Sequence, residues 1–354
     1  MTIDGYAAAM RQAIVVGSRH RPHPNPRVGA VLTLPDGQVL GSYGHIAPGE
    51  AHAERGLIDL VGDIPEDAVL VVTLEPCAHT GRTPPCTEAI ITAGIRTVIV
   101  GAIDPDPRVG GRGIALLRDA GIEVVVGVEA AAVQEADPGY FHHRRTGVPL
   151  VTLKQASTLD GQIAAADGTS QWITGDEART DAHRLRAAHD AVLVGAGTLR
   201  SDDPHLDVRL EGYDGPQPRA VIVAGSRPLP SDLYLWQRNP IVLASDEVVL
   251  PGIDVIHAGT GGVVDFRRGL TELAERGILS VLVEGGAGIA AALWDADLID
   301  RGVQYFGAKI AGGTGRAAFD RIFPTLSGAI DVEITAVENF GGDLRVDWRR
   351  RAHS

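Results

Sequence analysis

Residues 73–86 read TLEPCAHTGRTPPC and contain Cys77 and Cys86, the only two cysteines among the 354 residues. His52 precedes Cys77 by 25 positions. One imidazole and two thiolates form a ligand set that zinc prefers, and a catalytic zinc keeps three protein ligands and leaves its fourth position to water. The metal lowers the pKa of that water from about 16 to about 7, which gives hydroxide at neutral pH. The spacing therefore predicts a zinc site formed by His52, Cys77 and Cys86.

Glu54 lies two residues beyond the histidine, which places its carboxylate near the metal without making it a ligand. There it could take a proton from the water and return it to a substrate nitrogen or to the leaving amine. A His-x-Glu sequence followed by Pro-Cys is the pattern of zinc deaminases that act on nucleobases. Those enzymes usually carry Cys-x-x-Cys, whereas here eight residues, 78–85, separate the two cysteines. We expect Glu54 to be the catalytic proton shuttle.

Several other interpretations of the same residues stay open. His79 could complete a closed, structural zinc site, or the two cysteines could be buried without a metal. A zinc-stabilised binding module without catalysis is a third interpretation. A deaminase of free or nucleic-acid bases with an accessory second domain is a fourth. An intact glutamate beside an open metal position favours the catalytic interpretation.

The composition is that of a folded, acidic protein. Hydrophobic residues make up 44% and charged residues 22% of the chain, which excludes a disordered protein. The 32 basic and 45 acidic residues give a formal net charge of −13, which disfavours binding to nucleic acid or to an anionic membrane. The sequence shows no apolar run of transmembrane length and no signal-peptide layout at its N-terminus. We expect a cytoplasmic protein that acts on a small molecule.

Two series of alternating strands and helices follow one another along the chain, which predicts α/β domains with helices on both faces of a sheet. The second series ends in two runs, 330–337 and 343–348, that suggest an antiparallel hairpin at a sheet edge. We place the boundary between the series in the segment 135–149. This boundary predicts a first domain of residues 1–147 and a second domain of residues 148–354.

The chain resembles the bifunctional deaminase–reductases of riboflavin biosynthesis. The segments that carry the resemblance in the first half are HPNPRVGAVL (23–32), GHIAPGEAHAE (44–54), TLEPCAHTGRTPPC (73–86) and GAIDPDPRVGGRG (101–113). Those of the second half are VTLKQASTLDGQIA (151–164), SQWITG (170–175), VLVGAGTLRSDDPHL (192–206) and VEGG (283–286). The resemblance covers essentially the whole chain and implies a cytidine-deaminase-like three-layer α/β/α domain followed by a dihydrofolate-reductase-like α/β domain.

For the first domain, the resemblance implies zinc-dependent hydrolytic deamination of a diaminopyrimidinone ribosylamine 5′-phosphate. Asn25 is similar to a family residue that holds the base or the ribose, although an asparagine between two prolines is also a typical turn residue. His45 and His79 match positions around the pyrimidine. Arg82 matches a cation that faces the phosphate, and its planar fork of donors suits that anion.

For the second domain, the resemblance implies reduction of the ribosyl group to a ribityl chain by NADPH. No GxGxxG fingerprint is present, but the Gly-rich turn after residue 284 would let backbone amides approach a phosphate. The residues implied to face NADPH are Ala156, Trp172, Thr198, Asp202, Gly286, Ala287 and Gly288. Those implied to face the substrate are Lys154, Ser170, Arg186, Leu206, Arg209 and Glu284. Arg186 and Arg209 are the expected phosphate partners, and Lys154 and Asp202 are expected near the hydride acceptor.

Several residues depart from the family pattern. Gln162 stands where a cation is usual, and Ala224-Gly225 stand where the family often has Asp followed by Ser or Thr near the adenosine ribose. GAKIAGG (307–313) replaces the family's APKLLGG, and Asp106 stands where the family favours asparagine. The predicted partners are therefore zinc, NADPH and a small phosphorylated pyrimidine, with no nucleic acid and no membrane. We also expect a homo-oligomer.

Overall fold

The computed structural model describes residues 3–79, 84–225, 228–313, 315–319 and 325–351. It divides into two compact units, Met1–Gly147 and Val148–Ser354. Within the described ranges, no helix combines the length and the apolar character that are needed to cross a lipid bilayer.

The first unit is built on a five-stranded mixed sheet with the strand order β2-β1-β3-β4-β5. Strand β1 pairs antiparallel with both β2 and β3, whereas β3, β4 and β5 run parallel. Every residue of β1 and β3 is buried, as expected for central strands covered on both faces. The strands are β1 (Gly29–Thr33), β2 (Val39–Gly44), β3 (Val69–Leu74), β4 (Thr97–Ala102) and β5 (Glu123–Val126).

Helices cover both faces of this sheet. A Cβ built on Gly29 would lie 1.9 Å from the carbonyl oxygen of Ala13 in α1, and one on Gly41 would lie 2.9 Å from Val61 in α2. Gly41 pairs with Leu32, which lies an odd number of residues from Gly29, so α1 and α2 lie on opposite faces. The helices are α1 (Ile3–Gly17), α2 (Ala53–Val61), α3 (Cys86–Thr92), α4 (Arg112–Asp119), α5 (Ala130–Ala136) and α6 (Pro138–Thr146).

The segment 135–149, which we interpreted as a separator between two domains, is largely helical. It contains the end of α5 and all of α6, and Tyr140 and Phe141 of α6 are buried. Asp137, between the two helices, accepts hydrogen bonds from the His23 ring at 2.8 Å and from the backbone N–H of Arg27 at 2.8 Å. The segment up to Gly147 therefore belongs to the first unit and supports the loop that carries Asn25, whereas residues 148 and 149 belong to the second unit.

The second unit is built on a nine-stranded sheet with the order β11-β10-β9-β8-β12-β6-β13-β16-β15, and β7 pairs separately with β14. The seven strands from β11 to β13 run parallel. The strands are β6 (Leu150–Thr158), β7 (Gln162–Ala164), β8 (Ala191–Gly195), β9 (Arg219–Val223), β10 (Ile241–Ala244), β11 (Asp254–His257), β12 (Ser280–Val283), β13 (Arg301–Gly307), β14 (Arg316–Ala317), β15 (Val332–Phe340) and β16 (Asp343–Arg350). The helices are α7 (Asp176–Ala188), α8 (Ala196–Asp202), α9 (Phe266–Glu275) and α10 (Ala287–Asp295).

The antiparallel hairpin predicted near the C-terminus is confirmed. Strands β15 and β16 pair with each other, and β16 joins the parallel strands through an antiparallel pairing with β13. The sequence analysis did not predict β13. On that strand, Gly302 lies directly opposite Trp348, and the indole covers the glycine because no side chain stands there. Trp348 also packs against Trp294 at a ring distance of 5.9 Å.

We predict that Gly302→Ala destabilises the second unit. A Cβ at this position would lie 2.1 Å from Trp348, so the indole must move, and such overpacking costs about 1–3 kcal/mol. Urea unfolding of the full chain measures the loss. Gly197→Ala is the control, because a Cβ there meets nothing within 4 Å. Equal stability of the two variants would show that the indole does not constrain this position.

Candidate active sites

Three metal-ligand atoms converge in the first unit, and each comes from the end of a secondary-structure element. His52 immediately precedes α2, Cys86 is the first residue of α3, and Cys77 follows β3. The Nδ1 atom of His52 lies 3.6 Å from the sulfur of Cys77 and 3.4 Å from the sulfur of Cys86. Among the described residues, this is the one group of three or more such donors within 4.8 Å of one another.

The donor geometry fits zinc. With zinc–sulfur and zinc–nitrogen bonds of about 2.3 Å and about 2.0 Å, tetrahedral ligand atoms lie roughly 3.6 Å apart. The two distances from His52 match this spacing. His79 is exposed and does not join the group of three, so among the described residues no side chain closes the fourth position. The geometry favours an open, catalytic site over the closed structural site.

The two thiols share one negative charge when no cation lies between them. The hydrogen bond from Cys86, with a smaller contribution from His52, lowers the pKa of Cys77 to about 4. The same hydrogen bond, together with burial, raises the pKa of Cys86. The backbone N–H of Cys86 also donates to the Cys77 sulfur at 3.3 Å. A bound divalent cation would displace the remaining proton, so metal binding here releases a proton.

Glu54 lies in the first turn of α2 with only 3% of its surface exposed. Burial and the negative charge of Cys77 raise its pKa to about 7. Its carboxyl group also interacts with the Cys86 thiol. The structure therefore places Glu54 beside the ligand group without making it a member of that group.

Asn25 and His45 form a pair next to this site. The Nδ1 atom of His45 lies 3.0 Å from the carbonyl oxygen of Ala51, and its Nε2 atom lies 3.0 Å from the Asn25 amide nitrogen. Burial lowers the pKa of His45, so the ring is neutral: Nδ1 donates to the carbonyl and Nε2 accepts from the amide. The ring of His45 stands edge-on to that of His52 at 5.3 Å. His45 thus orients Asn25. The amide oxygen of Asn25 takes no part in this hydrogen bond and can accept one from another donor.

Arg82, the predicted phosphate partner in the first unit, lies outside the described residues.

Glu75 is a further residue of this site that the sequence analysis missed. Its buried carboxylate follows β3 and holds the loop after β4 against the segment that carries Cys77. A carboxylate directly before Pro-Cys, at the end of a buried strand, is the signal that would have found it. The backbone N–H groups that donate to Glu75 are those of Asp104 (3.3 Å), Gly111 (2.8 Å), Gly113 (2.8 Å) and Ile114 (3.3 Å).

The second unit contains a cleft of about 1490 Å³. Strands β6, β8, β9 and β12 run parallel, and the cleft lies where their carboxyl ends meet, as is general for ligand sites in α/β sheets. All the residues that the sequence analysis assigned to the second domain line this one cleft: Lys154, Ala156, Ser170, Trp172, Arg186, Thr198, Asp202, Leu206, Arg209, Glu284, Gly286, Ala287 and Gly288.

An ion pair between two largely buried side chains lines the cleft. Arg186 donates to both carboxylate oxygens of Glu284, at 2.7 Å and 2.9 Å, and also donates to the backbone oxygen of Asp207 at 2.9 Å. Although burial opposes it, the charge of Arg186 lowers the pKa of Glu284 to about 2. Lys154 lies nearby with its side chain partly buried, and the loss of solvation lowers its pKa. Arg186 pairs with Glu284 and Arg209 pairs with Asp207, but the side chain of Arg209 is 53% exposed and that of Arg186 only 13%. Arg209 is therefore the better placed of the two predicted phosphate partners.

The glycine-rich turn at the start of α10 fits a dinucleotide phosphate. Gly286 precedes the nine-residue helix and, having no side chain, does not cap the backbone N–H groups of its first turn. A Cβ on Gly288 would meet nothing within 4 Å, so the backbone is open toward the cleft. Trp172 is 59% exposed at the cleft, and the guanidinium of Arg179 stacks on its ring at 4.5 Å. The cleft therefore offers both a phosphate cradle and an aromatic surface.

Curated relatives from several bacteria match almost the full length of the chain. The riboflavin biosynthesis protein RibD of Chlamydia muridarum is 38% identical over 351 residues, covering 95% of this chain and 94% of the relative. The RibD protein of Bacillus amyloliquefaciens is 37% identical, covering 91% of this chain and 90% of the relative.

The chain belongs to the RibD family of riboflavin biosynthesis proteins.

Domain models and solved structures agree with the RibD assignment. Residues 149–346 match the RibD C-terminal domain, and residues 4–102 match the cytidine and deoxycytidylate deaminase zinc-binding region. The RibD structure of Acinetobacter baumannii is 33% identical with a TM-score of 0.90, covering 98% of this chain and 99% of that chain. The Thermotoga maritima protein, a diaminohydroxyphosphoribosylaminopyrimidine deaminase and 5-amino-6-(5-phosphoribosylamino)uracil reductase, is 35% identical with a TM-score of 0.89 and covers 99% of each chain.

The chain is therefore a bifunctional deaminase and reductase of riboflavin biosynthesis. Zinc and NADPH are its cofactors, and His52, Cys77 and Cys86 form the cluster that could bind the metal. The predicted fold class is confirmed: a cytidine-deaminase-like domain precedes a RibD-type reductase domain.

We predict that Cys86→Ser abolishes zinc binding and deamination but leaves the reductase active. A serine hydroxyl is a much poorer zinc ligand than a thiolate. Metal analysis of the purified variant should show a content near zero, while reduction of preformed deaminated substrate continues. His79→Ala is the matched control and should keep its zinc. Loss of zinc from that variant would instead support the closed structural site, in which His79 is the fourth zinc ligand.

We predict that Glu284→Gln destabilises the second unit by about 3–5 kcal/mol, because Arg186 is left buried without its counter-charge. The pKa of Glu284 falls from 4.5 to about 2 on folding, so the pair stabilises the fold fully above pH 4.5. The difference from wild type should shrink as the pH falls toward 2, since Glu284 then takes up a proton.

Urea unfolding at a series of pH values measures this difference. Glu272→Gln is the control, since Glu272 pairs with Arg268 on the exposed surface of α9 and should contribute little. A stability difference that does not change with pH would show that the loss is not electrostatic.

Proposed function

We propose that the first unit deaminates a diaminopyrimidinone ribosylamine 5′-phosphate and that the second unit reduces the ribosyl group of the product to a ribityl chain. The observation that carries this proposal is the convergence of His52, Cys77 and Cys86 beside the buried Glu54. The activities of the related Thermotoga maritima protein support the choice of substrate. A phosphorylated substrate is also compatible with the acidic net charge of the chain, because a few locally placed arginines can bind the phosphate.

In the first unit, Glu54 moves the protons of the hydrolysis. Zinc, when bound, supplies the Lewis acidity that makes water a nucleophile at neutral pH. Glu54 takes a proton from the attacking water and returns it to the amine, so that the ring carbon gains oxygen and ammonia leaves. Because Glu54 is buried, the proton does not escape to bulk water during this exchange. Asn25, oriented by His45, holds the substrate through its amide oxygen.

In the second unit, Lys154 and the arginines prepare the substrate for reduction. NADPH, when bound, supplies the hydride. As C1′ of the ribose accepts the hydride, its bond to the ring oxygen breaks, and that oxygen needs a proton to become a hydroxyl group. Lys154 lines the cleft, and its lowered pKa favours release of a proton there. Arg209 is exposed enough to bind the phosphate of the substrate.

We predict that Glu54→Gln lowers deamination by about 10²- to 10⁴-fold, the range that a positioned acid–base group contributes. The amide cannot accept the water proton, but the three ligand side chains remain, so zinc content should not change. Ammonia release measures the rate. Glu66→Gln, which neutralises a largely exposed carboxylate in the same unit, is the control and should keep full activity. Normal ammonia release by Glu54→Gln would exclude Glu54 as the proton shuttle.

The substrate assignment is tested by incubating the purified chain with the diaminopyrimidinone phosphate, with and without NADPH, and following the products by mass spectrometry. We expect the deaminated compound without NADPH and the ribityl compound with it. Turnover of cytidine or deoxycytidylate in place of this substrate would support the alternative base deaminase. The homo-oligomer and the cytoplasmic location stay predictions from the sequence.

A further inference from the structure

One face of α7 borders the cleft of the second unit and carries three polar side chains at helical spacing. Arg179, His183 and Arg186 are four and three residues apart, and all three line the cleft. Arg179 stacks on Trp172, and Arg186 pairs with Glu284. His183 is the third of these side chains, and the sequence analysis did not identify it. The helix therefore brings an imidazole to the wall of the cleft.

His183 contacts the segment that carries Arg209. Its Nδ1 atom lies 3.2 Å from the backbone nitrogen of Arg209 and 3.2 Å from the carbonyl oxygen of Asp207. The same carbonyl oxygen accepts a hydrogen bond from Nη1 of Arg186 at 2.9 Å. The side-chain amide of Gln217 accepts from and donates to the backbone of the residue between them, at 2.7 Å and 3.2 Å. These contacts fix the segment against α7.

The proton of the His183 ring belongs on Nε2. Loss of solvation, together with the positive charges of Arg186 and Arg209, lowers the pKa of His183, so the neutral ring carries one proton. The backbone N–H of Arg209 is directed at Nδ1, which must accept it with a lone pair. The carbonyl oxygen of Asp207 already has a donor in Arg186 and does not require a proton on Nδ1. Nε2 is therefore a donor, and it has no hydrogen-bond acceptor among the residues that the structure describes.

The charges around His183 favour an anion as the missing acceptor. Arg186 and Arg209 each affect the His183 ring more strongly than the negative charge of Glu284 does. Arg186 is held by both oxygens of Glu284, whereas Arg209 is the more exposed of the two arginines and uses Nη1 to pair with Asp207. A phosphomonoester presents three terminal oxygens that can accept from an imidazole and from a guanidinium at the same time.

We propose that Nε2 of His183 donates a hydrogen bond to the 5′-phosphate of the substrate and that His183 and Arg209 hold this phosphate together. The inference rests on the proposed function, in which the cleft takes a phosphorylated ribosyl compound. His183 adds a donor without adding a charge, and through Nδ1 it also positions the backbone of Arg209. The phosphate is remote from C1′, where the hydride is accepted. His183 therefore contributes to binding and not to the chemical step.

Two substitutions separate the roles of the two ring nitrogens. In His183→Asn, the amide group is attached where Nδ1 stands, so it can still accept the N–H of Arg209, but nothing replaces Nε2. In His183→Gln, the longer side chain can place its amide nitrogen where Nε2 stands, so the donor to the phosphate is kept. His257→Asn is the control, because it replaces an imidazole on β11 that does not line the cleft.

The measurement is the reduction of preformed deaminated substrate by the full chain, followed by the loss of NADPH absorbance. Ribose 5-phosphate is the probe, because it carries the sugar phosphate without the pyrimidine, and its inhibition constant in this assay reports on the second unit alone. His183→Asn should raise this constant and the KM for the substrate by about 10- to 100-fold, as expected for loss of a hydrogen bond to a charged group, with kcat unchanged. His183→Gln should retain most of the affinity, and His257→Asn all of it.

The KM for NADPH shows which phosphate the ring binds, and it should be the same in wild type and in all three variants. A rise in the KM for NADPH in His183→Asn, with that for the substrate unchanged, would place a cofactor phosphate at the ring and would overturn the proposal. The opposite ranking, in which His183→Gln is impaired and His183→Asn is normal, would show that His183 only holds the backbone N–H of Arg209. That result would overturn it as well.

Failure of this inference can be distinguished from failure of the proposed function. If wild type does not reduce the deaminated substrate, the proposed function is wrong and the inference fails with it. If wild type reduces the substrate but ribose 5-phosphate does not inhibit the reaction, only the inference is wrong. The same holds if ribose 5-phosphate inhibits wild type and His183→Asn equally well.

Discussion

Parallel strands in one sheet end at the same edge, and both sites of this protein depend on that constraint. In the first unit, β3 and β4 run parallel, so the segment with Cys77 and the loop after β4 emerge side by side, where Glu75 ties them together. In the second unit, four parallel strands deliver their carboxyl ends to one cleft. Residues far apart in sequence therefore meet without long connecting loops.

Both sites place charged groups away from bulk water, and the charges are compensated in a different way at each site. The ligand group of the first unit places two sulfurs and an imidazole within 4.8 Å, an arrangement that a divalent cation stabilises and that otherwise leaves one thiol protonated. The cleft of the second unit carries its own counter-charges, because Arg186 and Glu284 neutralise each other. Such a pair holds two side chains in a defined orientation, and loss of one partner is costly because the other charge is left unpaired, whereas replacement of both by apolar residues can be nearly neutral. The donors of the first site are thus suited to a bound cation, whereas the two charges of the second site neutralise each other.

Several features could not be predicted from the sequence. The helices of segment 135–149 lack a strong apolar periodicity, and their place in the core depends on contacts such as Asp137 with His23. Strand β13 was missed because it carries polar residues such as Gln304 among apolar ones, and its strand character comes from pairing with β6 and β16. The pairing of His45 with Asn25 could not be predicted either, because the two residues are twenty positions apart and no local pattern encodes their contact.

The sequence by itself determined the kind of chemistry, because metal ligands and a neighbouring carboxylate are recognisable by residue type and spacing alone. His52, Glu54 and the two cysteines could be identified in this way, and so could the glycine-rich turn before α10. The tertiary structure decided how those residues work together: which nitrogen of His52 faces the sulfurs, and which arginine pairs with Glu284. Distances and burial set these properties, and both arise only when distant segments of the chain pack against one another.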